Sequence, residues 1–215
     1  MSVAAKICGL SNEAAVTAAV AGGAAYLGFN FYPPSPRAVT ADRAARLVAT
    51  VPSGIMRVGV FVDADDETIG AVLTEAPIDL LQLHGRESLE RVVEVKLRFA
   101  RPVIKAVAIA EPEDVLGAAR YEEVADLLLF DAKPPRRPEA LPGGNGLAFD
   151  WALIAGHSWR RNWLLSGGLT AEILPEAVRI SGATAVDVSS GVESRPGEKD
   201  PGKIRVFLAA AHALG

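Results

Sequence analysis

The chain has 215 residues, half of them hydrophobic, a net charge of −4 and one cysteine. That much apolar material builds a large core and excludes a disordered chain, while a single thiol excludes an internal disulfide and suits a reducing cytoplasm. The slight acidity gives no basic footprint for nucleic acid, though a few arginines and helix N-termini can still make a local pocket for an anionic small molecule.

Apolar runs alternate with helical periodicity along the whole chain. The first strand is expected over Ala4 to Cys8, followed by a helix from Asn12 to Ala21 capped by Ser11 or Asn12. No secretory leader pattern precedes it. The uncharged run from Ala14 to Pro36 has the length of a membrane span, but Gly22-Gly23, Asn30, Pro33 and Pro34 interrupt it. It reads as a helix, a turn and a buried strand from Tyr26 to Phe31.

A second helix follows at Ala41 to Thr50, with Thr40 or Asp42 near its start. Strand three is expected at Arg57 to Val62 with a helix at Asp65 to Glu75, and strand four at Leu80 to Leu83 with a helix at Ser88 to Arg98. Val103 to Val107 is the fifth strand, and its helix runs from Glu113 to Arg120 behind Glu111-Pro112. Leu127 to Phe130 is the sixth, with a short helix around Asp150 to Ile154. Trp163 to Ser166 precedes a helix at Ala171 to Ile180. The eighth strand, Ala185 to Val188, leads to a closing helix at Lys203 to Leu214.

Eight short apolar strands, each followed by a helix, argue for an all-parallel sheet covered on both faces. Eight is the number that closes a (β/α)₈ TIM barrel, here one α/β domain over residues 1–215. An open doubly wound sheet would carry its phosphate glycines after the first strand. In this chain the Gly-Gly and Ser-Ser-Gly turns follow strands seven and eight, which favours the barrel.

Active sites of such barrels lie at the C-terminal ends of the strands. Those ends deliver Cys8; the Pro33 to Arg37 segment; Phe61 and Asp63; Gln82, His84 and Gly85; Asp131; Ser166-Gly167-Gly168; and Asp187, Ser189, Ser190 and Gly191. The last two turns, at Gly167, Gly168, Ser189, Ser190 and Gly191, form a phosphate-binding pattern, because glycine admits an anion close to the backbone and helix-start amides point toward it. Cys8 precedes a glycine and a helix start, where amide groups are expected to favour its thiolate. With Asp131 across the barrel mouth it makes a base and acid pair for moving a proton next to a carbonyl or imine. His84, Asp63 and Asp187 read equally as structural residues. No His, Cys and carboxylate spacing suits a metal, and no nucleophilic triad is legible.

The ordered set Lys6-Ile7-Cys8-Gly9, Gly28-Phe29-Asn30-Phe31, Ser35-Pro36-Arg37, Val58-Gly59-Val60-Phe61, Gln82-Leu83-His84-Gly85, Gly143-Gly144-Asn145-Gly146, Phe149-Asp150-Trp151, Leu165-Ser166-Gly167-Gly168-Leu169 and Asp187 to Glu193 resembles phosphoribosylanthranilate isomerase. Asn30 and Ser166 depart from the family pattern. The resemblance implies the Amadori rearrangement of N-(5-phosphoribosyl)anthranilate in tryptophan biosynthesis, without metal or organic cofactor. It implies Asp131 as the general acid that opens the ring, Cys8 as the base that takes the C2 proton, and Arg37 as a bidentate partner of the anthranilate carboxylate. The glycine and serine turns would hold the phosphate. The expected partner is therefore a phosphorylated small molecule, with no nucleic acid and no membrane, acting on a monomer or homodimer. The stretch from Ala132 to Ala148, rich in proline and glycine, is expected to be a binding loop.

An indole-forming synthase of the same pathway would want a catalytic lysine near strand one, where Lys6 lies. A sugar isomerase of histidine biosynthesis would be expected to carry aspartate in place of Cys8. A barrel that binds a phosphorylated ligand without turnover would not need both Cys8 and Asp131.

Overall fold

The computed structural model describes residues 3–134 and 141–214. Strands β1 (Ala4–Cys8), β2 (Tyr26–Asn30), β3 (Met56–Phe61), β4 (Leu80–Leu83), β5 (Val103–Ile109), β6 (Leu127–Ala132), β7 (Asn162–Leu165) and β8 (Ala185–Val188) pair in chain order. β8 returns to β1 in parallel, with Lys6 opposite Asp187, and closes the barrel. The helices are α1 (Glu13–Ala21), α2 (Ala41–Val48), α3 (Asp66–Glu75), α4 (Leu89–Phe99), α5 (Pro112–Ala119), α6 (Ala152–Ala155), α7 (Leu174–Ser181) and α8 (Pro201–His212). None is long and apolar enough to cross a membrane.

Helix starts follow local chemistry. The side chains of Asn12, Thr40, Asp65 and Ser88 each accept a hydrogen bond from the amide three residues on, beginning α1 to α4. Such caps are worth about 1 kcal/mol each. α8 begins at Pro201, before the expected Lys203, because proline fits a first helical turn and Asp200 accepts from the amides of Gly202 and Lys203. α7 begins later than expected, at Leu174, with Pro175 in its first turn.

Period-two alternation divides each strand between two cores. Leu27, Phe29, Phe61, Leu81, Leu83, Leu128, Phe130 and Val186 face outward into the helices. Val58, Leu80, Ile104, Ala106, Leu129 and Leu164 fill the lower barrel interior. One residue pair further up, the same inward rows turn polar: Lys6, Gln82, Asp131, Ser166 and Asp187, all buried. The apolar plug makes the barrel rigid, and the polar layer above it floors the site.

Three departures matter at the mouth. β5 and β6 pair through Ala108–Asp131 and Ile109–Ala132, so Asp131 belongs to the sheet instead of following it. Phe61 points outward and stacks on Phe31 at 5.3 Å, while Val60 and Val62 occupy the pocket wall in its place. A small hairpin, β9 (Glu193–Arg195) and β10 (Glu198–Lys199), follows a 3₁₀ turn at Ser190–Val192. It had no signature in the apolar pattern. Of the expected loop over 132–148, residues 135–140 lie outside the described residues.

Candidate active site

One cavity opens at the C-terminal ends of the strands, lined by Cys8, Arg37, His84, Asp131, Gly167, Gly168, Ser189 and Ser190 among others. These elements converge there because inward strand positions and the loops above them share the barrel axis.

On the β1 and β8 wall, the Lys6 ammonium donates to Asp187 Oδ1 at 2.8 Å with both groups buried. Asp187 Oδ2 accepts from the Ser166 hydroxyl at 3.2 Å. A Cβ on Gly28 would lie 3.0 Å from both Cys8 Sγ and Lys6 Nζ, so the glycine opposite makes room for the two side chains. Burial pushes the Cys8 thiol up, and the Lys6 ammonium beside it acts in the opposite direction. Burial opposes the Lys6 charge as well, but Asp187 and Cys8 hold its pKa above the usual lysine value.

This corrects the expected origin of the thiolate. The amides of Gly9 and Leu10 both donate to the Gly28 carbonyl, and α1 starts only at Glu13. The groups that favour a Cys8 thiolate are therefore ammonium ions, Lys6 first and Lys199 more weakly. Asp187 is the counter-ion of Lys6, which settles one ambiguous carboxylate. Asp63 does not line the cavity. It adopts φ 47°, accepts from the Arg86 amide at 2.6 Å and shapes the β3 turn.

On the β4 and β6 wall, Asp131 is buried, with Oδ1 accepting from the Ala132 amide at 2.9 Å. Its Oδ2 lies 3.3 Å from His84 Nε2, and His84 Nδ1 lies 2.8 Å from the amide nitrogen of buried Gln82. Gly143 covers this pair: a Cβ there would come within 2.5 Å of His84 Nε2 and 2.7 Å of Asp131 Oδ2.

Arg37 reaches the cavity, yet its bidentate face is already taken. Nε and Nη2 donate to the two Glu193 oxygens at 2.7 and 2.9 Å, and Nη2 also reaches the Gly144 carbonyl. Among the described residues Nη1 makes no hydrogen bond, so the expected two-pronged grip on a substrate carboxylate reduces to what Nη1 can offer. Lys199 also donates to Glu193, at 2.6 Å. Burial acts to raise the Glu193 pKa, but Arg37 and Lys199 hold it below the usual range.

The turns after β7 and β8 meet as expected, with details that change residue roles. Gly167 and Gly168 have φ of 90° and 63° and give their amides to no backbone carbonyl among the described residues. Ser190 opens the 3₁₀ turn, whose first amides have no partner within it. Ser189 also lines the cavity, but its hydroxyl is committed, donating to the Cys8 carbonyl and accepting from Lys199. Gly191 is not on the cavity wall. A Cβ there would lie 1.9 Å from the Leu169 carbonyl, so this glycine serves the packing of one loop against the other.

Among the described residues no group of three His, Cys, Asp or Glu side chains could hold a metal. Gln82, Lys199 and Glu193 are the site residues whose roles sequence reasoning missed. Strand parity from Leu80 places Gln82 inward; the other two sit on the hairpin that the apolar pattern did not announce.

The family model described as N-(5'-phosphoribosyl)anthranilate (PRA) isomerase matches residues 5–210. The N-(5'-phosphoribosyl)anthranilate isomerase of Paracoccus denitrificans is 55% identical, with 99% of each chain covered. That of Rhodospirillum centenum is also 55% identical, over 100% of each. The crystal structure of phosphoribosyl anthranilate isomerase from Thermotoga maritima superposes with a TM-score of 0.88 at 38% identity, covering 99% of this chain and 100% of that one. Another, in complex with reduced 1-(o-carboxyphenylamino)-1-deoxyribulose 5-phosphate, gives 0.85 at 36% identity with the same coverage. With sequence, barrel and similarity agreeing over nearly the full length, the chain belongs to the N-(5'-phosphoribosyl)anthranilate isomerase family.

Proposed function

We propose that Cys8 and Asp131 carry out in this cavity the Amadori rearrangement that converts N-(5-phosphoribosyl)anthranilate to 1-(2-carboxyphenylamino)-1-deoxyribulose 5-phosphate, a step of tryptophan biosynthesis. The observation that carries the assignment is the placement of one buried thiol and one buried carboxyl on two walls of a single cavity. Asp131 gives its proton to the furanose ring oxygen as the C1–O bond breaks, and the anilino nitrogen lone pair closes the C1=N bond of a Schiff base. The Cys8 thiolate then removes the C2 proton, its electrons form C1=C2, and the C=N pair returns to nitrogen. The resulting enolamine tautomerises to the ketone.

Loops whose amides at Gly167, Gly168 and Ser190 have no backbone partner among the described residues hold the phosphate at one end. Ser189 and Gly191 contribute by fixing the loops in place. Arg37 Nη1 receives the anthranilate carboxylate at the other end. The nitrogen supplies the electron push, so neither a metal nor an organic cofactor is required by this chemistry. The proposed state is a monomer or a homodimer, and the single thiol of the sequence suits a reducing cytoplasm.

The test is the loss of anthranilate fluorescence when freshly made N-(5-phosphoribosyl)anthranilate meets the protein. Decay above the spontaneous rate, abolished in Cys8→Ser, is the expected result. A purified, folded protein that leaves the fluorescence at its spontaneous rate would overturn the proposal.

A further inference from the structure

Gln82, His84 and Asp131 form a line of three side chains running from the barrel interior to the cavity. Gln82 is fully buried, and among the described residues its Oε1 has no hydrogen-bond partner. Its amide nitrogen lies 2.8 Å from His84 Nδ1, and His84 Nε2 lies 3.3 Å from Asp131 Oδ2. The turn that presents His84 is unusually well fixed. The His84 amide donates to the Phe61 carbonyl, and the carbonyls on either side, of Leu83 and Gly85, both accept from the buried Lys105 ammonium. A side chain held this firmly, with one ring nitrogen on the acid and the other on a half-satisfied amide, is placed to do more than fill space.

We propose that His84 is the positioning and proton-sharing partner of Asp131, so that one proton lies between His84 Nε2 and Asp131 Oδ2 in the enzyme before turnover. This rests on the reading of Asp131 as general acid. The Gln82 amide completes the device. Its nitrogen donates to Nδ1 when the ring's one hydrogen sits on Nε2, and with the carboxamide turned over its Oε1, unpartnered among the described residues, accepts from Nδ1–H. In the reactive form Nδ1 carries its own hydrogen, accepted by Gln82 Oε1, and the shared proton leaves through Oδ2 to the ring oxygen. A neutral imidazole and a carboxylate remain, and a proton from water reloads the pair.

Among the described residues, the other charged groups packed around the line are paired. Lys105 is matched by Glu87 at 2.7 Å on the outer side of β5, and the Glu87 carboxylate also accepts from the amides of Asp63 and Gly85. Asp63 lies beside Gly85 and takes the Arg86 amide. Lys133, two residues beyond Asp131, pairs with Asp114. Across the cavity Lys6 is paired with Asp187, and Arg37 with Glu193, leaving Cys8 as the titrating group on the opposite wall.

The experiment compares wild type, His84→Gln, Gln82→Met and Asp131→Asn. For His84→Gln, which keeps an amide near the Nε2 position but cannot store a proton, kcat falls ~10-fold or more, part of the 10²–10⁴ that general acid catalysis supplies. KM stays within about threefold, and the alkaline limb of the kcat profile moves to lower pH. Gln82→Met shifts the limb the same way by a smaller amount. In wild type at neutral pH, nitrogen-15 spectra of the imidazoles show both His84 nitrogens sharing protons, and Asp131→Asn returns the ring to a single tautomer; this reading needs no His84 variant to fold. A uniform loss of kcat with an unmoved alkaline limb, or a plain neutral tautomer in wild type, would overturn the role of His84 alone. Near-normal kcat in Asp131→Asn would instead remove the acid assignment on which the inference stands.

Discussion

The two walls of the cavity hold their reactive groups by different physics. Around Cys8 the supports are full charges, a buried ammonium and its carboxylate, tied on to Ser166. Around Asp131 they are a backbone amide, an imidazole and a neutral carboxamide, under a glycine that leaves no room for a side chain. Under the proposed mechanism the difference follows the proton. A buried thiol must become an anion to act as base, and only a nearby cation offsets the desolvation that opposes it. A carboxyl that must arrive protonated needs a hydrogen-bond partner able to hold a proton, and a fixed cation beside it would work against that.

The largest expected effect comes from removing the base. Cys8→Ser should fold normally and lower kcat by ~10³-fold or more, in the upper part of the range for positioned proton transfer. A serine hydroxyl cannot ionise beside Lys6 near neutral pH. If Cys8 were only a packed core residue, activity would persist with stability reduced by about 1 kcal/mol.

Breaking the other wall should cost at least ~10²-fold in kcat. Asp131→Asn keeps the size and the hydrogen bond to the Ala132 amide but has no proton to give. Binding of inorganic phosphate should change little, because the glycine turns are untouched. A lowered melting temperature with a normal kcat would make Asp131 structural.

Arg37→Ala separates the two ends of the substrate. Losing a charge-assisted hydrogen bond costs roughly 1.5–3 kcal/mol, about ten- to a hundredfold in affinity for carboxylate-bearing ligands such as the product. Since Glu193 then keeps only Lys199, the variant is paired with Arg37→Ala/Glu193→Gln to remove the stranded charge. Ribose 5-phosphate should bind both almost as it binds wild type. Equal weakening of the two ligands would place Arg37 at the phosphate end.

Lys6→Met sharpens the contrast between walls through pH. The thiol is already pushed up by burial, and Lys6 is the chief cation that counters it. Without that ammonium the thiolate forms only at higher pH, so the acid limb of kcat/KM should move upward. A shift of one unit corresponds to about tenfold in rate on that limb. Stability should fall by about 3–5 kcal/mol, because Asp187 loses its buried partner. An acid limb that stays in place would mean that Lys6 serves the fold alone. The smallest effect belongs to Ser166→Ala, which removes one bond to Asp187: about 1 kcal/mol of stability and a kcat within about threefold.

The barrel is readable because its strands are buried on both faces and its helices begin at strong caps; Asn12 and Thr40 are each one of two residues the sequence offers at those starts. The strand ends also lead to Cys8, Asp131, Gly167, Gly168, Ser189 and Ser190, which line one cavity. What escaped is what burial and tertiary pairing decide. Sequence adjacency suggested helix amides as the support of Cys8, whereas the true partner arrives from two residues earlier on the same inward row. The commitment of Arg37 to Glu193 spans 156 positions and depends on a hairpin with no apolar signature. Phe61, expected at the mouth, faces outward because the parity of strand three puts Val60 on the inner row.

The most direct test of the two-wall account is single-turnover decay of anthranilate fluorescence with substrate carrying deuterium at ribose C2, measured in wild type, Cys8→Ser and Asp131→Asn. If Cys8 takes the C2 proton after Asp131 has opened the ring, residual turnover in Cys8→Ser is limited by C2–H cleavage and shows the full primary isotope effect. In Asp131→Asn ring opening becomes limiting, and the effect falls toward unity. A full isotope effect in Asp131→Asn together with none in Cys8→Ser would reverse the assignment of the two walls and contradict the account.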